Sequence, residues 1–201
     1  MKKVDRRILR TRRMLGEALI ELILEKGFDA VTIRDITDRA DIAYATFYRH
    51  YDGKEDLLIN RVKKVMSSLE EIAQETSSDY FQVEGILLFE HVEAKQDLYR
   101  SLLGSKSNRY VIQQLKEMIM DSVRERAYAR YKNVKYPAIP LDVLVNHTAV
   151  GTLELIAWWL ENDKKYSIER MADIYKKLVI DAAWQSVESK SIAGWENSNP
   201  I

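Results

Sequence analysis

The chain has 201 residues, 46% of them hydrophobic, and its 31 Lys and Arg balance 31 Asp and Glu, so it carries no formal net charge. That length and apolar content can bury a real core, as one large domain or as a small one beside a larger one. It has no cysteine, which excludes disulfides, thiolate catalysis and cysteine-ligated zinc and suits a reducing cytoplasm, the expected location.

The N-terminus is basic: its first 13 residues hold seven Lys and Arg and one acid. Glu17 and Glu21 interrupt the apolar stretch that a signal peptide would need. No uninterrupted run of about 18 apolar residues occurs, so no membrane span is expected. Residues 1–64 carry 15 Lys and Arg against 11 Asp and Glu, a net of +4, which leaves −4 on the remainder. A basic tail of this kind is either a solubilising device or part of a nucleic-acid footprint, and only a motif beside it can decide.

Seven glycines, three prolines and apolar residues recurring every three to four positions predict an all-α chain. The first helix is predicted over 6–26, with Leu15, Ala18, Leu19, Leu22 and Ile23 on one face and Gly27 as its left-handed terminator. Thr32 is a good N-cap for a short second helix, with a carboxylate at Asp35 three residues on and Ile33, Ile36 and Ala40 turned inward. After a bend at 41–43 comes a third helix over 44–51. Asp52-Gly53 breaks the chain again, and a long helix starts near Lys54 with an apolar stripe at Leu58, Val62, Val65, Leu69 and Ile72. Further helices are predicted at roughly 80–94, 96–104, 108–132, 141–162 and 168–188. The domain division read from this pattern is 1–53, 54–188 and a polar tail over 189–201, the long fourth helix joining the first unit to the helical body.

A helix, a tight turn and a second helix ending in a charged, aromatic run is the helix-turn-helix plan, in which the second helix enters the DNA major groove. Helical geometry sorts the third helix into faces. Phe47 and Tyr51 share one side and, with Ile42, make the inward anchor. Tyr44 and Tyr48 share another, and Ala45 and Arg49 a third. Outward tyrosine hydroxyls, His50 and Lys54 suit phosphate oxygens. Lys54 also opens a helix, where free N–H groups and the dipole favour an anion. Ala45, Thr46 and Arg49 are the candidate base readers, because small groups permit close approach and arginine forks onto guanine.

The stretch EKGFDAVTIRDITDRADIAYATFYRHYDGKEDLL (25–58) resembles the DNA-binding region of the TetR family of bacterial transcriptional regulators, the likeness running from about Arg12 to Leu58. It includes the Lys-Gly-Phe helix ending, Thr-Ile-Arg-Asp-Ile in the second helix, Thr-Phe-Tyr-Arg-His-Tyr in the third and Lys-Glu-Asp-Leu-Leu in the fourth. The resemblance implies phosphate contacts at Thr32, Tyr44, Tyr48, His50 and Lys54 and groove readers at Ala45, Thr46 and Arg49. Two positions depart from the pattern: Asp41 stands where the turn commonly carries glycine, and Ala43 where a serine or threonine commonly caps the third helix. Lack of that cap costs roughly 1 kcal/mol.

For the rest of the chain the resemblance implies a helical body that forms a homodimer through its last two helices and holds a ligand cavity between the others. The stretch TLELIAWWLENDKKYSIERMADIYKKLV (152–179) is similar to the C-terminal domain of a subgroup common in Gram-positive bacteria, some members of which activate transcription or bind a partner protein. Leu144, Ala149, Leu155, Ile156 and Trp159, with Met171, Tyr175, Leu178 and Ala182, are the apolar positions of the two late helices; two such helices per chain form a four-helix seam or close the monomer core. Polar and aromatic groups set in apolar helices make Tyr99, Tyr110, Met118, His147, Glu154 and Trp158 the candidate lining of a site for a small-molecule effector of unknown identity.

The expected function is a sequence-specific regulator, a ligand-responsive repressor on a palindromic double-stranded DNA operator. No enzyme, cofactor or metal site is expected. Only His50, His91 and His147 could serve as imidazole groups, and the Glu90-His91-Val92-Glu93 set points around its helix rather than to one side. The alternative is an activator or partner-binding regulator with weakened DNA contacts, to which Asp41 and Ala43 lend support.

Overall fold

A computed structural model describes residues 6–76, 80–104, 109–131, 139–183 and 185, and all regular structure among them is helical. In chain order these are α1 (Arg6–Lys26), α2 (Ile33–Ala40), α3 (Tyr44–Phe47), α4 (Lys54–Thr76), α5 (Tyr80–Ala94), α6 (Gln96–Leu103), α7 (Arg109–Tyr131), α8 (Leu141–Glu161) and α9 (Ile168–Tyr175), which runs into a π-helical turn over Lys176–Asp181. The expected tail over 189–201 and the lysines of the extreme N-terminus lie outside the described residues.

The chain divides into two compact units. The first holds residues up to Glu71 together with Lys95–Gln114; the second holds Ile72–Ala94 and the chain from Leu115 onward.

In the first unit α1 packs against both α2 and α6, and α2 against α3. Leu15, Leu19, Leu22 and Ile23 of α1 are buried at three- and four-residue spacing, the stripe that a packed helix face requires. Gly27, at φ 77°, ends α1 in the left-handed region, its N–H donating to the Ile23 carbonyl at 2.9 Å. Thr32 and Asp35 close a full capping box at the start of α2. Asp41 caps the other end in the left-handed region at φ 52°, ψ 48°. The third helix is shorter than the expected 44–51. Regular α-helix covers Tyr44–Phe47, and the chain then tightens: the Arg49 and His50 N–H groups reach back three residues, to Thr46 and Phe47. Ala43 at its head supplies no side-chain cap. Buried Leu57, Leu58 and Ile59 anchor the start of α4, whereas Ile72, the last member of the expected stripe, is 46% exposed.

In the second unit α5 packs on α9 and on the π turn, and α8 packs on the π turn. Phe89 meets Trp159 edge-on at 5.2 Å, and Tyr175 at 6.3 Å. The Trp159 indole N–H donates to the Tyr166 carbonyl at 2.9 Å. Glu84, 6% exposed, is held by the Arg126 guanidinium at 2.6 Å, so its charge is paired where it is buried. A Cβ at Gly85 would stand 3.3 Å from Ala172 and Tyr175, a spacing that brings α5 and α9 close together.

The last helix corrects the expected core. Met171 and Tyr175 are buried as expected, but Leu178 is 63% exposed and Val179 and Ala183 are buried instead. The π turn adds one residue to a helical turn, and every later inward position moves one place along the chain.

Over 141–161, α8 is long and apolar enough to cross a membrane by length and composition, although polar residues interrupt its apolar run. One face of it is a core face, with Leu144, Val145, Ile156, Trp159 and Leu160 buried. Thr148 and Thr152 lie in that face with their hydroxyls donating to the Leu144 and Thr148 carbonyls, which satisfies both inside the helix.

Candidate nucleic-acid interface

The segment 41–54 is mounted on α1 and α2 by apolar packing and by charge. Phe47 is fully buried and Tyr51 6% exposed, their rings 5.8 Å apart. With Ile36, Val31 and Phe28 also buried, one side of the segment is fixed. Arg39 of α2 forks onto Glu25 of α1 at 2.7 and 2.8 Å and reaches Glu21 at 3.2 Å. Lys26 at the end of α1 pairs with Asp35 at 2.7 Å. These pairs are exposed and weak singly, but each ties α2 to α1 at a defined position.

The other side of the segment faces outward. Tyr44 and Tyr48 are 51% and 49% exposed. Their hydroxyls lie 3.3 Å apart and their rings meet edge-on at 5.3 Å. The hydrogen bond shared with Tyr44 raises the Tyr48 phenol above its ordinary pKa, so Tyr48 keeps its proton at neutral pH. Ala45 and Arg49 are exposed and Thr46 half-buried. One guanidinium nitrogen of Arg49 donates to the Thr46 hydroxyl at 2.6 Å, which restricts the arm while leaving its other N–H groups available. His50 is half-buried; burial, then the nearby Arg12 and Arg49 charges, hold its imidazole below the usual histidine pKa. It therefore stands neutral at pH 7 and offers an N–H rather than a charge.

Two expected phosphate contacts are otherwise engaged. The Lys54 ammonium donates to the carbonyls of Phe28, Asp29 and Val31 at 2.9, 3.1 and 2.8 Å and sits 4.7 Å from the Phe28 ring centroid. An ammonium has three N–H donors, so all three are engaged by the loop after α1, which Lys54 clamps in the free chain. The Thr32 hydroxyl donates to Asp35 at 2.7 Å and accepts from the Asp35 N–H at 3.1 Å, and the Thr32 N–H binds the same carboxylate at 2.8 Å. Its cap role is structural.

The six residues expected to line an effector site are divided between the two units. Tyr99 and Tyr110 belong to the first unit, and Met118, His147, Glu154 and Trp158 to the second. Met118 is buried and Tyr99 half-buried, burial pushing the Tyr99 phenol up to about 12. Tyr110 is 54% and Trp158 43% exposed, and His147 and Glu154 are exposed as well. Four-apart and three-apart spacing places Val143, His147, Val150, Glu154 and Trp158 along one outward stripe of α8. Polar residues in an apolar helix mark an outer face here, not a cavity wall.

One feature of the first unit escaped the reading of the sequence. A groove of about 680 Å³ runs between α1 and α4, with Arg10, Arg12, Arg13, Arg61 and Lys64 among its lining residues. Its signal was available in Gly16, an interior helix glycine facing α4.

Two protein-family models match the chain: "Bacterial regulatory proteins, tetR family" over residues 16–60, and "Transcriptional regulator C-terminal region" over 85–181. Among curated relatives, the uncharacterized HTH-type transcriptional regulator YxbF of Bacillus subtilis (strain 168) is 42% identical over 64 residues, which is 31% of this chain and 17% of that protein. Across the first three such relatives the matched stretch spans between 17% and 49% of their length. A solved TetR transcriptional regulator from Streptococcus agalactiae 2603V superimposes with a TM-score of 0.62 at 26% identity, covering 87% of this chain and 96% of that one. The transcriptional regulator FadR from Bacillus subtilis, solved in complex with stearoyl-CoA, gives a TM-score of 0.55 at 20% identity, over 84% and 97% of the two chains; at that identity the likeness is one of fold.

Proposed function

The chain belongs to the TetR family of bacterial transcriptional regulators, and on that premise we propose that it is a ligand-responsive repressor that binds a palindromic operator as a homodimer. The observation that carries the DNA reading is the division of residues 44–51 into two surfaces. Phe47 and Tyr51 are buried, while Tyr44, Ala45, Tyr48 and Arg49 face out beside Thr46 and His50. The tyrosine hydroxyls and the His50 imidazole suit phosphate oxygens, and Ala45, Thr46 and Arg49 suit base edges.

Homodimerisation is supported by the outward stripe of α8. Val143, Val150 and Trp158 are 53%, 37% and 43% exposed, and Leu178, turned out by the π insertion, is 63% exposed. An outward stripe in which His147 and Glu154 alternate with Val143, Val150 and Trp158 fits a two-fold seam, and a two-fold dimer presents two reading helices to a symmetric operator. The effector reading rests on likeness of fold to the stearoyl-CoA-bound regulator, with Met118 as the one buried candidate.

The alternative of a regulator with weakened DNA contacts drew on Asp41 and Ala43. Asp41 adopts the left-handed turn that glycine commonly fills, and the segment after Ala43 folds as helix and tight turn without a side-chain cap, so the fold of the segment is kept and the alternative rests on the exposed Asp41 carboxylate and the missing cap. Repression and activation use the same reading surface; transcription from the bound promoter in vitro separates them.

Selection from a random duplex library, followed by titration at several salt concentrations, tests the reading. Tyr48→Phe should weaken binding about equally on every sequence, and Arg49→Ala should relax preference at one base position, a loss of about 1–3 kcal/mol of discrimination. A chain that binds its best sequence no more tightly than random duplex is not an operator-reading regulator.

A further inference from the structure

We propose that the groove between α1 and α4 is a second phosphate-binding track, which takes the DNA backbone flanking the half-site read by residues 44–50. The proposal rests on the operator reading above and adds a site to it.

The chemistry of the groove is that of a polyanion site. Arg10, Arg12 and Arg13 from α1 meet Arg61 and Lys64 from α4, with Glu17 as the lining acid. Glu17 is engaged by Arg13 at 4.0 Å, and both are largely exposed. Surface arginines on a helix are ordinarily a solvated face, so charge alone would carry little. Two further observations distinguish this one.

The first is that Arg61 is lodged. It is half-buried and lies across the α1 backbone at Gly16, where an added Cβ would stand 2.5 Å from the Arg61 Cδ and 2.9 Å from its Nε. A glycine inside a helix costs about 1 kcal/mol relative to alanine. Here it creates a bed for the arginine stem, which holds one guanidinium of the groove in place before any ligand arrives.

The second is continuity with the reading segment. The Arg12 guanidinium lies 6.0 Å from the centroid of the Tyr51 ring, and Tyr51 is itself a groove residue. After burial, the Arg12 and Arg49 charges both lower the His50 pKa, so a groove cation and the candidate base reader are both near that ring. Asp56 is the acid felt by Tyr51, and its carboxylate is taken up by the Asp52 N–H and the Asn60 amide at 3.2 and 2.6 Å. Five cations drawn out along two helices suit a linear array of phosphates better than a single small anion, and the continuation of the bound duplex supplies one. Each phosphate neutralised steepens the fall of log affinity with log salt by about 0.9.

The test compares two duplexes carrying the selected site: one trimmed to the recognised base pairs, the other with roughly ten more on each side. On the extended duplex, Arg61→Gln/Lys64→Gln should bind roughly tenfold more weakly than wild type near 0.15 M salt, with the slope shallower by about 2. The selected base preference should not change, and on the trimmed duplex variant and wild type should bind alike. Because Arg61 packs on Gly16, Arg10→Gln/Arg13→Gln is measured beside it, both side chains being exposed and outside the core; it should show the same slope loss at unchanged melting temperature. Equal slopes and affinities for wild type and Arg10→Gln/Arg13→Gln on the extended duplex overturn the proposal even if the other pair is impaired. If wild type itself prefers no sequence, the operator reading falls, and the track is judged by the same slope difference on random duplex.

Discussion

At the scale of single residues, His50 and Lys54 show how position decides what a polar group can do. Both follow the reading helix and both looked suited to phosphate, yet Lys54 is fully engaged by three carbonyls and His50 is held neutral. Lys54→Met keeps the length of the stem and removes all three bonds, leaving carbonyls after α1 without their donor. It should lower the stability of the first unit by about 1–3 kcal/mol in denaturant unfolding while leaving base preference intact. Lys54→Arg should not restore it, since a planar fork cannot converge on three carbonyls as an ammonium does. His50 makes a different prediction. Its pKa in the free protein lies below the ordinary 6.5, and a phosphate beside it favours the protonated ring, so the bound pKa is the higher of the two. Protons are then taken up on binding as pH falls through that window, and DNA affinity rises with them. In His50→Gln the rise between about pH 7 and 5.5 should be absent; a profile identical to wild type would show that no phosphate meets the ring.

At the scale of elements, periodicity fixed most helices to within a residue or two, including α1, α2, α5, α6 and α8. The failures have physical causes that periodicity cannot carry. The third helix ends at Phe47 because the chain after it closes three-residue bonds, which a pattern of apolar positions does not distinguish from α-helix. The last helix follows its period as far as Tyr175 and then slips by one, so that Val179 and Ala183 take the inward places expected of Leu178 and Ala182. A π turn has no composition of its own, and only packing against α5 and α8 reveals it. Asp41 is the converse case, read from the sequence as standing where the turn commonly carries glycine and found at φ 52°. Glycine has no Cβ to strain in that region. Asp41→Gly should therefore raise stability by up to about 1 kcal/mol and Asp41→Ala lower it by about as much; chemical denaturation of the three proteins side by side checks the order.

At the scale of the whole molecule, the division of the candidate DNA-binding segment into an inward and an outward face was legible because it is encoded locally, in some ten consecutive residues whose faces follow from helical geometry. An effector site is harder to read, because a cavity is made by residues distant in sequence, and a polar group in an apolar helix marks an outer seam as readily as a pocket. The α8 stripe illustrates the ambiguity. Val143, Val150 and Trp158 would suit lipid, but His147 and Glu154 share their face, and ionisable groups are costly in a bilayer. A seam between two copies accommodates both kinds, with apolar side chains at its centre and charged ones at its rim. Val150→Lys/Trp158→Lys places four like charges across such a seam, two from each copy. Both positions are exposed in the single chain, so its core and helix content should be unaffected. Sedimentation at micromolar concentration should then find monomers where wild type gives dimers. Binding to a single half-site should persist at low affinity, because the reading segment is untouched, while the gain from joining two half-sites disappears. A double variant that still sediments as a dimer and still binds the full palindrome as tightly as wild type would place the seam on another face.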